Sequence, residues 1–220
     1  MSGEKEKNQD IEQEIQAVIL KHPEVIKTIE KGTPFFRVQP TRYEDPVFYN
    51  KASDSRYGDL KQEIGVYYVA GSSEVAIAET FQHGASGSGS PVLFTEIEER
   101  SLHQLEADRA LKVVDVARAA AYGGRKLRDL VKAKGQGSEG YALPQALSAA
   151  IMRSDKEIDG LLYTSTVFPG SASIEGCNLV LFDEREKQLV PKSSKPLTEV
   201  RTSNGKTAIQ LLVDLKVSVE

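Results

Sequence analysis

Val66-Tyr67-Tyr68-Val69-Ala70-Gly71-Ser72-Ser73-Glu74-Val75-Ala76-Ile77-Ala78-Glu79 is the stretch that decides how this chain is built. Its opening residues are β-branched and aromatic, the composition of a strand. Ser72 or Ser73 then supplies a hydroxyl that can cap the free N–H groups of a helix start, and Val75 to Glu79 continue as a short helix. Strand, tight turn and helix follow one another with no room for a linker.

Working upstream, Phe35-Phe36-Arg37-Val38 reads as a short strand, and the polar, tyrosine-rich segment from Pro40 to Gly58 as a long loop of the kind that carries function. Ile11, Ile15, Val18 and Ile19 recur at helical spacing behind an Asp10 cap, and Pro23 opens a second helix that Gly32 ends. The expectation is an N-terminal helical hairpin. Downstream, Gly84 to Ser90 is a surface loop, Val92 to Ile97 and Lys112 to Val116 are strands, and helices run from Gly124 to Lys134 and from Pro144 to Met152. Leu161 to Ser165 and the buried run Asn178 to Phe182 are further strands. Asn204-Gly205 is a hairpin turn joining Thr198–Ser203 to Lys206–Val217. Many short strands with few short helices, without a regular βαβ alternation, predict an α+β fold.

At 220 residues the chain suits one large domain, expected over 33–190, with a helical extension over 1–32 and a C-terminal β-hairpin over 191–220 packed on the same domain. A net charge of −4 offers no broad cationic surface, so direct contact with nucleic acid is not expected. Cys177 is the one cysteine, which excludes an internal disulfide and a cysteine-pair zinc site; next to an apolar run it reads as a buried spectator thiol rather than a nucleophile. Met1 to Asp10 has no apolar core and no stretch approaches a membrane span, so the expected location is the cytoplasm.

His22, His83 and His103 show no ligand spacing, so no metal is expected. Gly87-Ser88-Gly89 lacks the strand-to-helix setting of a serine nucleophile, and there is no phosphate-cradling glycine loop. What remains is a set of polar residues in structured surroundings: Arg37, Arg56, Tyr68, Glu79 and Ser165. Taken singly, Glu79 reads as a solvated helix residue, the arginines as surface ion pairs, Tyr68 as a core residue and Ser165 as a strand-end hydroxyl.

Taken in order, they carry a resemblance. Ser55-Arg56-Tyr57-Gly58, then Tyr68-Val69-Ala70, then Ala76-Ile77-Ala78-Glu79, with Gly160-Leu161-Leu162-Tyr163-Thr164-Ser165 and Asn178-Leu179-Val180-Leu181-Phe182 further on, resemble the RES family. The similarity spans roughly Phe35 to Asp183 and departs at the arginine turn, where the family usually has Gly-Arg-Phe-Asn.

The resemblance implies an ADP-ribosyltransferase-like core. It also implies cleavage of the nicotinamide–ribose bond of NAD by water or inorganic phosphate, with no cofactor or metal. The setting it implies is the toxin half of a bacterial toxin–antitoxin pair restrained by an Xre-type antitoxin. On that reading Glu79 supplies negative charge to an oxocarbenium-like ribose, and Arg56 and Arg37 grip the pyrophosphate or a phosphate. Tyr68 offers a flat face and a hydroxyl, Ser165 a hydrogen bond, and Tyr57 and Tyr43 stack on a base. Two rivals stay open: an ADP-ribosyltransferase that passes the ribose to a protein, and a non-catalytic module that binds NAD or ADP-ribose without turnover.

Overall fold

A computed structural model describes residues 13–52, 55–82, 89–123, 140–168 and 173–220. Among these residues eight strands form one sheet: β1 (Ile26–Ile29), β2 (Pro34–Pro40), β3 (Val66–Ala70), β4 (Arg100–Ala107), β5 (Leu111–Asp115), β6 (Gly160–Thr164), β7 (Cys177–Phe182) and β8 (Leu189–Pro196). Their spatial order is β1-β5-β6-β7-β3-β2-β4-β8, and every neighbouring pair is antiparallel except β5 with β6. Helices α1 (residues 13–21), α2 (Ser73–Phe81), α3 (Phe94–Glu98), α4 (Val116–Tyr122), α5 (Ala142–Ser154) and α6 (Ala208–Asp214) complete an α+β fold.

β7 is the axis of the core, because Cys177 to Phe182 are buried along the whole strand. Leu179 and Leu181 face one cluster with Phe35, Tyr67, Val69 and Leu105. Val180 and Phe182 face the other, with Ile15 of α1 and Leu147 and Ile151 of α5. A third cluster joins Ile77 and Phe81 of α2 to Ile97 of α3 and Leu211 and Leu212 of α6. Burying each such side chain contributes about 1.5–3 kcal/mol, so packing rather than its own short length holds α2.

The turn from β3 into α2 is fixed at two residues. Gly71 is obligatory, since a Cβ there runs into the Ile174 carbonyl. Ser72 is the cap: its Oγ accepts from the Val75 N–H at 3.3 Å and donates to the Glu175 carbonyl at 2.7 Å. The sheet is thinnest beside this turn. β2 pairs with β4 along its whole length, but with β3 only at Phe36↔Ala70. The two strands splay apart, and a cleft opens between them.

Three expectations are corrected. After α1 there is no second helix: Pro23–Val25 makes a single 3-10 turn and Ile26–Ile29 is an edge strand. The β-branched run Val25, Ile26, Thr28, Ile29 favours extended backbone, and pairing with β5 captures it. Gly32, at φ +84°, turns the chain from β1 into β2 instead of ending a helix. Val92 to Ile97 is not a strand, because Phe94 opens α3 with Glu96 accepting from the Leu93 N–H at 3.1 Å; Val92 keeps one bridge, to Val219.

The third concerns the C-terminal hairpin, which shrinks to one bridge, Arg201↔Thr207, around the expected Asn204-Gly205 turn. Thr207 and Gln210 cap each other and start α6 in its place. β1 and β8, from or across the segments read as appendages, form the two edges of the sheet. The Asp10 cap, His83, most of the Gly84–Ser90 loop and the helix expected from Gly124 to Lys134 lie outside the described residues. No helix among the described residues is long and apolar enough to cross a membrane.

Candidate active site

The cleft beside the β2/β3 split is a cavity of about 280 Å³ whose wall includes Arg37, Phe48, Ser55, Tyr68, Glu79 and Asn178. Each side chain arrives for a local reason. Glu79 lies on the last full turn of α2, and Tyr68 is on β3, paired with Val180. Asn178 opposes Tyr163 on β6, and Ser165 follows the end of that strand.

The carboxylate of Glu79 is held through one oxygen. Asn178 Nδ2 donates to Oε1 at 2.6 Å and Ser165 Oγ donates to the same atom at 2.8 Å. The Ser165 proton has this direction to take because its Oγ already accepts from the Val167 and Phe168 N–H groups, at 3.3 and 3.1 Å. Asn178 and Ser165 are 5% and 2% exposed, so both are committed to this contact. Two donors fill Oε1, and among the described residues none reaches Oε2. Hydrogen bonds to an ionised group are each worth about 1.5–3 kcal/mol, enough to hold the carboxylate in one orientation.

Tyr68 has a different task from the one expected of its hydroxyl. Its OH accepts from the Tyr57 N–H at 2.9 Å and donates to Ser55 Oγ at 3.2 Å, so both capacities are spent on the arginine turn. Burial pushes its pKa up to about 12, which keeps the phenol protonated. From the other side α5 grips the same turn: Gln145 Nε2 donates to the Ser55 carbonyl at 2.9 Å and Ser148 Oγ to the Tyr57 carbonyl at 2.8 Å. The turn is thereby fixed, and the Arg56 guanidinium lies over the rings of Tyr57 and Tyr163, 5.5 and 5.9 Å from their centroids.

Arg37 projects into the strand split. Its guanidinium lies 4.8 Å over the Tyr67 ring, and one nitrogen donates a long bond of 3.4 Å to the Tyr68 carbonyl. Across the β2/β4 ladder Arg37 is paired with His103, a buried imidazole whose pKa is lowered by burial and by the adjacent guanidinium. Arg37 is therefore a half-buried cation in the same cavity wall as Glu79.

The structure thus brings Glu79, Arg37 and Tyr68 to one cavity wall, sets buried Ser165 behind it on Glu79 Oε1, and sets Arg56 on the neighbouring turn over Tyr163. It does not bring all the tyrosines. Tyr57 is 1% exposed, so its ring supports Arg56 and has no open face for a base. Tyr43 is 52% exposed, stacks with Arg42, and lies outside the cavity wall. Cys177 is buried, on the opposite face of β7 from Asn178, with burial raising its pKa, as a spectator thiol requires.

Sequence reasoning missed Asn178, Ser55, Tyr163 and Phe48. Asn178 had a readable signal: it is the one amide in a strand of otherwise apolar side chains, and a buried amide needs a partner. Phe48 had none, and its meaning appears only in space, where a ring left 64% exposed forms part of a cavity wall. Among the described residues no group of three or more His, Cys, Asp or Glu side chains gathers in a way that holds a metal ion.

Fold and site together define an α+β protein with a carboxylate and a guanidinium facing one cleft in a splayed sheet. Its family follows from comparison: the RES domain model matches residues 34–201, and the chain belongs to that family. The fold is similar to a chain of the crystallised MbcT–MbcA toxin–antitoxin complex of M. tuberculosis. The TM-score is 0.58 at 17% identity, over 94% of this chain and 97% of that one. No curated protein matches the chain.

Proposed function

We propose that the protein cleaves the nicotinamide–ribose bond of NAD, by hydrolysis or phosphorolysis, and acts as the toxin of a toxin–antitoxin pair. The observation that carries the reading is the two-donor clamp on Glu79 Oε1, in a cleft that also holds Arg37. A carboxylate in a cavity wall, with one oxygen tied and no donor on the other among the described residues, suits a ribose whose C1′ becomes positive as its bond breaks. The C1′–N1 electron pair leaves with nicotinamide, which departs neutral, so no strong acid is needed. Oxygen of water or phosphate then bonds to C1′, and the proton of an attacking water passes to solvent. Glu79 accepts a hydrogen bond from a ribose hydroxyl and offsets the charge at C1′, while Arg37 and Arg56 bind the pyrophosphate or the incoming phosphate.

The likeness in fold to a chain of a toxin–antitoxin complex supports an antitoxin partner, which the family resemblance gives as Xre-type. Product identification tests the whole reading. Purified protein and labelled NAD are expected to yield free nicotinamide with ADP-ribose, or with ADP-ribose 1″-phosphate when phosphate is present. Label fixed to macromolecules indicates an ADP-ribosyltransferase, and NAD recovered intact indicates a binding module.

A further inference from the structure

A second cavity, of about 530 Å³, lies next to the first, and Phe36 belongs to the wall of both. The two follow the same pair of elements. β2 and α2 pass the second cavity at Pro34 and at Ser73 and Glu74, and reach the first at Arg37 and at Ala76 and Glu79. From Glu74 to Glu79 the helix advances about 7.5 Å at 1.5 Å per residue, a step that a pyrophosphate link spans.

Size divides the work between them. Sites that bury a small ligand run from about 300 to 1,000 Å³, so the first cavity, at about 280 Å³, suits the nicotinamide end and not a whole dinucleotide. With the second cavity the space falls well within that range.

The walls differ in charge. Among its described lining the second cavity has two carboxylates, Glu74 and Glu175, no lysine or arginine, and the rings of Phe36 and Phe168. Glu74 is buried and anchored: Oε1 accepts from the Ser203 N–H at 2.8 Å and Oγ at 2.6 Å, and Oε2 accepts from Ser73 Oγ at 2.8 Å. Burial alone raises its pKa, but these hydrogen bonds outweigh it and leave the group lowered, hence ionised at neutral pH. Glu175 is exposed, and its backbone is tied to the start of α2 through Ser72. One fixed carboxylate and one exposed one, beside two phenylalanine rings, match a ribose diol and an amino-bearing base, and both charges oppose an added phosphate.

We infer that the second cavity takes the adenosine half of the dinucleotide, and that Glu175 turns away a 2′-phosphate, so that the enzyme uses NAD in preference to NADP. This rests on the NAD-cleaving reading of the first cavity. The test is the rate of loss of NAD, NADP and nicotinamide mononucleotide with the full chain, wild type and Glu175→Lys. Wild type is expected to favour NAD over NADP about tenfold in kcat/KM, since solvent screens the repulsion between the exposed Glu175 carboxylate and an added phosphate. Nicotinamide mononucleotide, which lacks adenosine, is expected to fall at least about tenfold below NAD. Glu175→Lys, at an exposed position, is expected to narrow the NAD-to-NADP ratio about tenfold, mainly through KM for NADP. Equal use of NAD and NADP, a mononucleotide as good as NAD, or a ratio unmoved by Glu175→Lys overturns the inference while leaving the catalytic reading intact. Loss of none of the three nucleotides overturns the catalytic reading itself, and this inference with it.

Discussion

Replacing Asn178 by leucine removes one of the two donors on Glu79 Oε1 at nearly constant side-chain size, and it isolates the clamp from the rest of the cleft. The bond lost is 2.6 Å long, from a 5% exposed amide to a carboxylate. Such a bond is worth about 1.5–3 kcal/mol, and lost wholly from the transition state that is about 10- to 150-fold in kcat/KM. Ser165 still holds Oε1 at 2.8 Å in this variant, so the loss lies toward the lower figure; Ser165→Ala gives the reciprocal case. Because both donors serve one oxygen, the double variant departs from the product of the single effects by more than the small error of independent sites. The assay is the initial rate of NAD loss with each variant, beside a thermal melt that establishes folding. A folded Asn178→Leu protein with kcat/KM within twofold of wild type, or single effects that multiply without interaction, refutes the reasoning.

Other outcomes follow from the same geometry. Tyr68→Phe leaves the Tyr57 N–H without its acceptor and costs about 1–3 kcal/mol of stability, with KM rising more than kcat falls because Arg56 loses its fixed turn; chemical melts and steady-state kinetics read both. Arg153→Met removes the cation from the buried Asp59 carboxylate, held by Arg153 at 2.7 and 2.8 Å, but leaves it the backbone N–H groups of Lys61, Glu63 and Ile64, and is expected to cost about 1.5–3 kcal/mol in a urea melt. His103 has a pKa lowered by burial and by Arg37, so the unfolded chain takes up protons first as pH falls below about 6.5. Its contribution to stability is present above that pH and is lost on acidification through the lowered folded value. The melting temperature of His103→Phe is therefore expected to fall less than that of wild type over this window.

How far these features are legible in the sequence depends on whether the cause is local. The unit from Val66 to Phe81 is local: strand-forming residues, a glycine with no room for a Cβ and a serine cap all sit within a few positions. Strand β4 defeats the same reasoning. Its buried positions are Ser101, His103, Leu105 and Ala107, two polar and two apolar, so the alternation in burial is not an alternation in hydrophobicity. β8 carries Pro191 and Pro196 and is largely exposed, tolerable only at a sheet edge, a place known only from the other strands. Thr207 and Gln210 do form a readable capping signature, and the stronger Asn204-Gly205 turn hides it by suggesting a hairpin. At the site, the order of Arg56, Tyr68, Glu79 and Ser165 is visible along the chain. The grip of Gln145 and Ser148 on the arginine turn is not, since it joins segments about 90 residues apart.

The most direct measurement is NAD turnover by Glu79→Gln, which keeps the size of the side chain and removes its charge, with folding checked in parallel. If an anionic Glu79 steadies the ribose as its bond breaks, kcat falls on the order of 100- to 1,000-fold while NAD binding persists. A folded Glu79→Gln protein that consumes NAD at the wild-type rate contradicts the account.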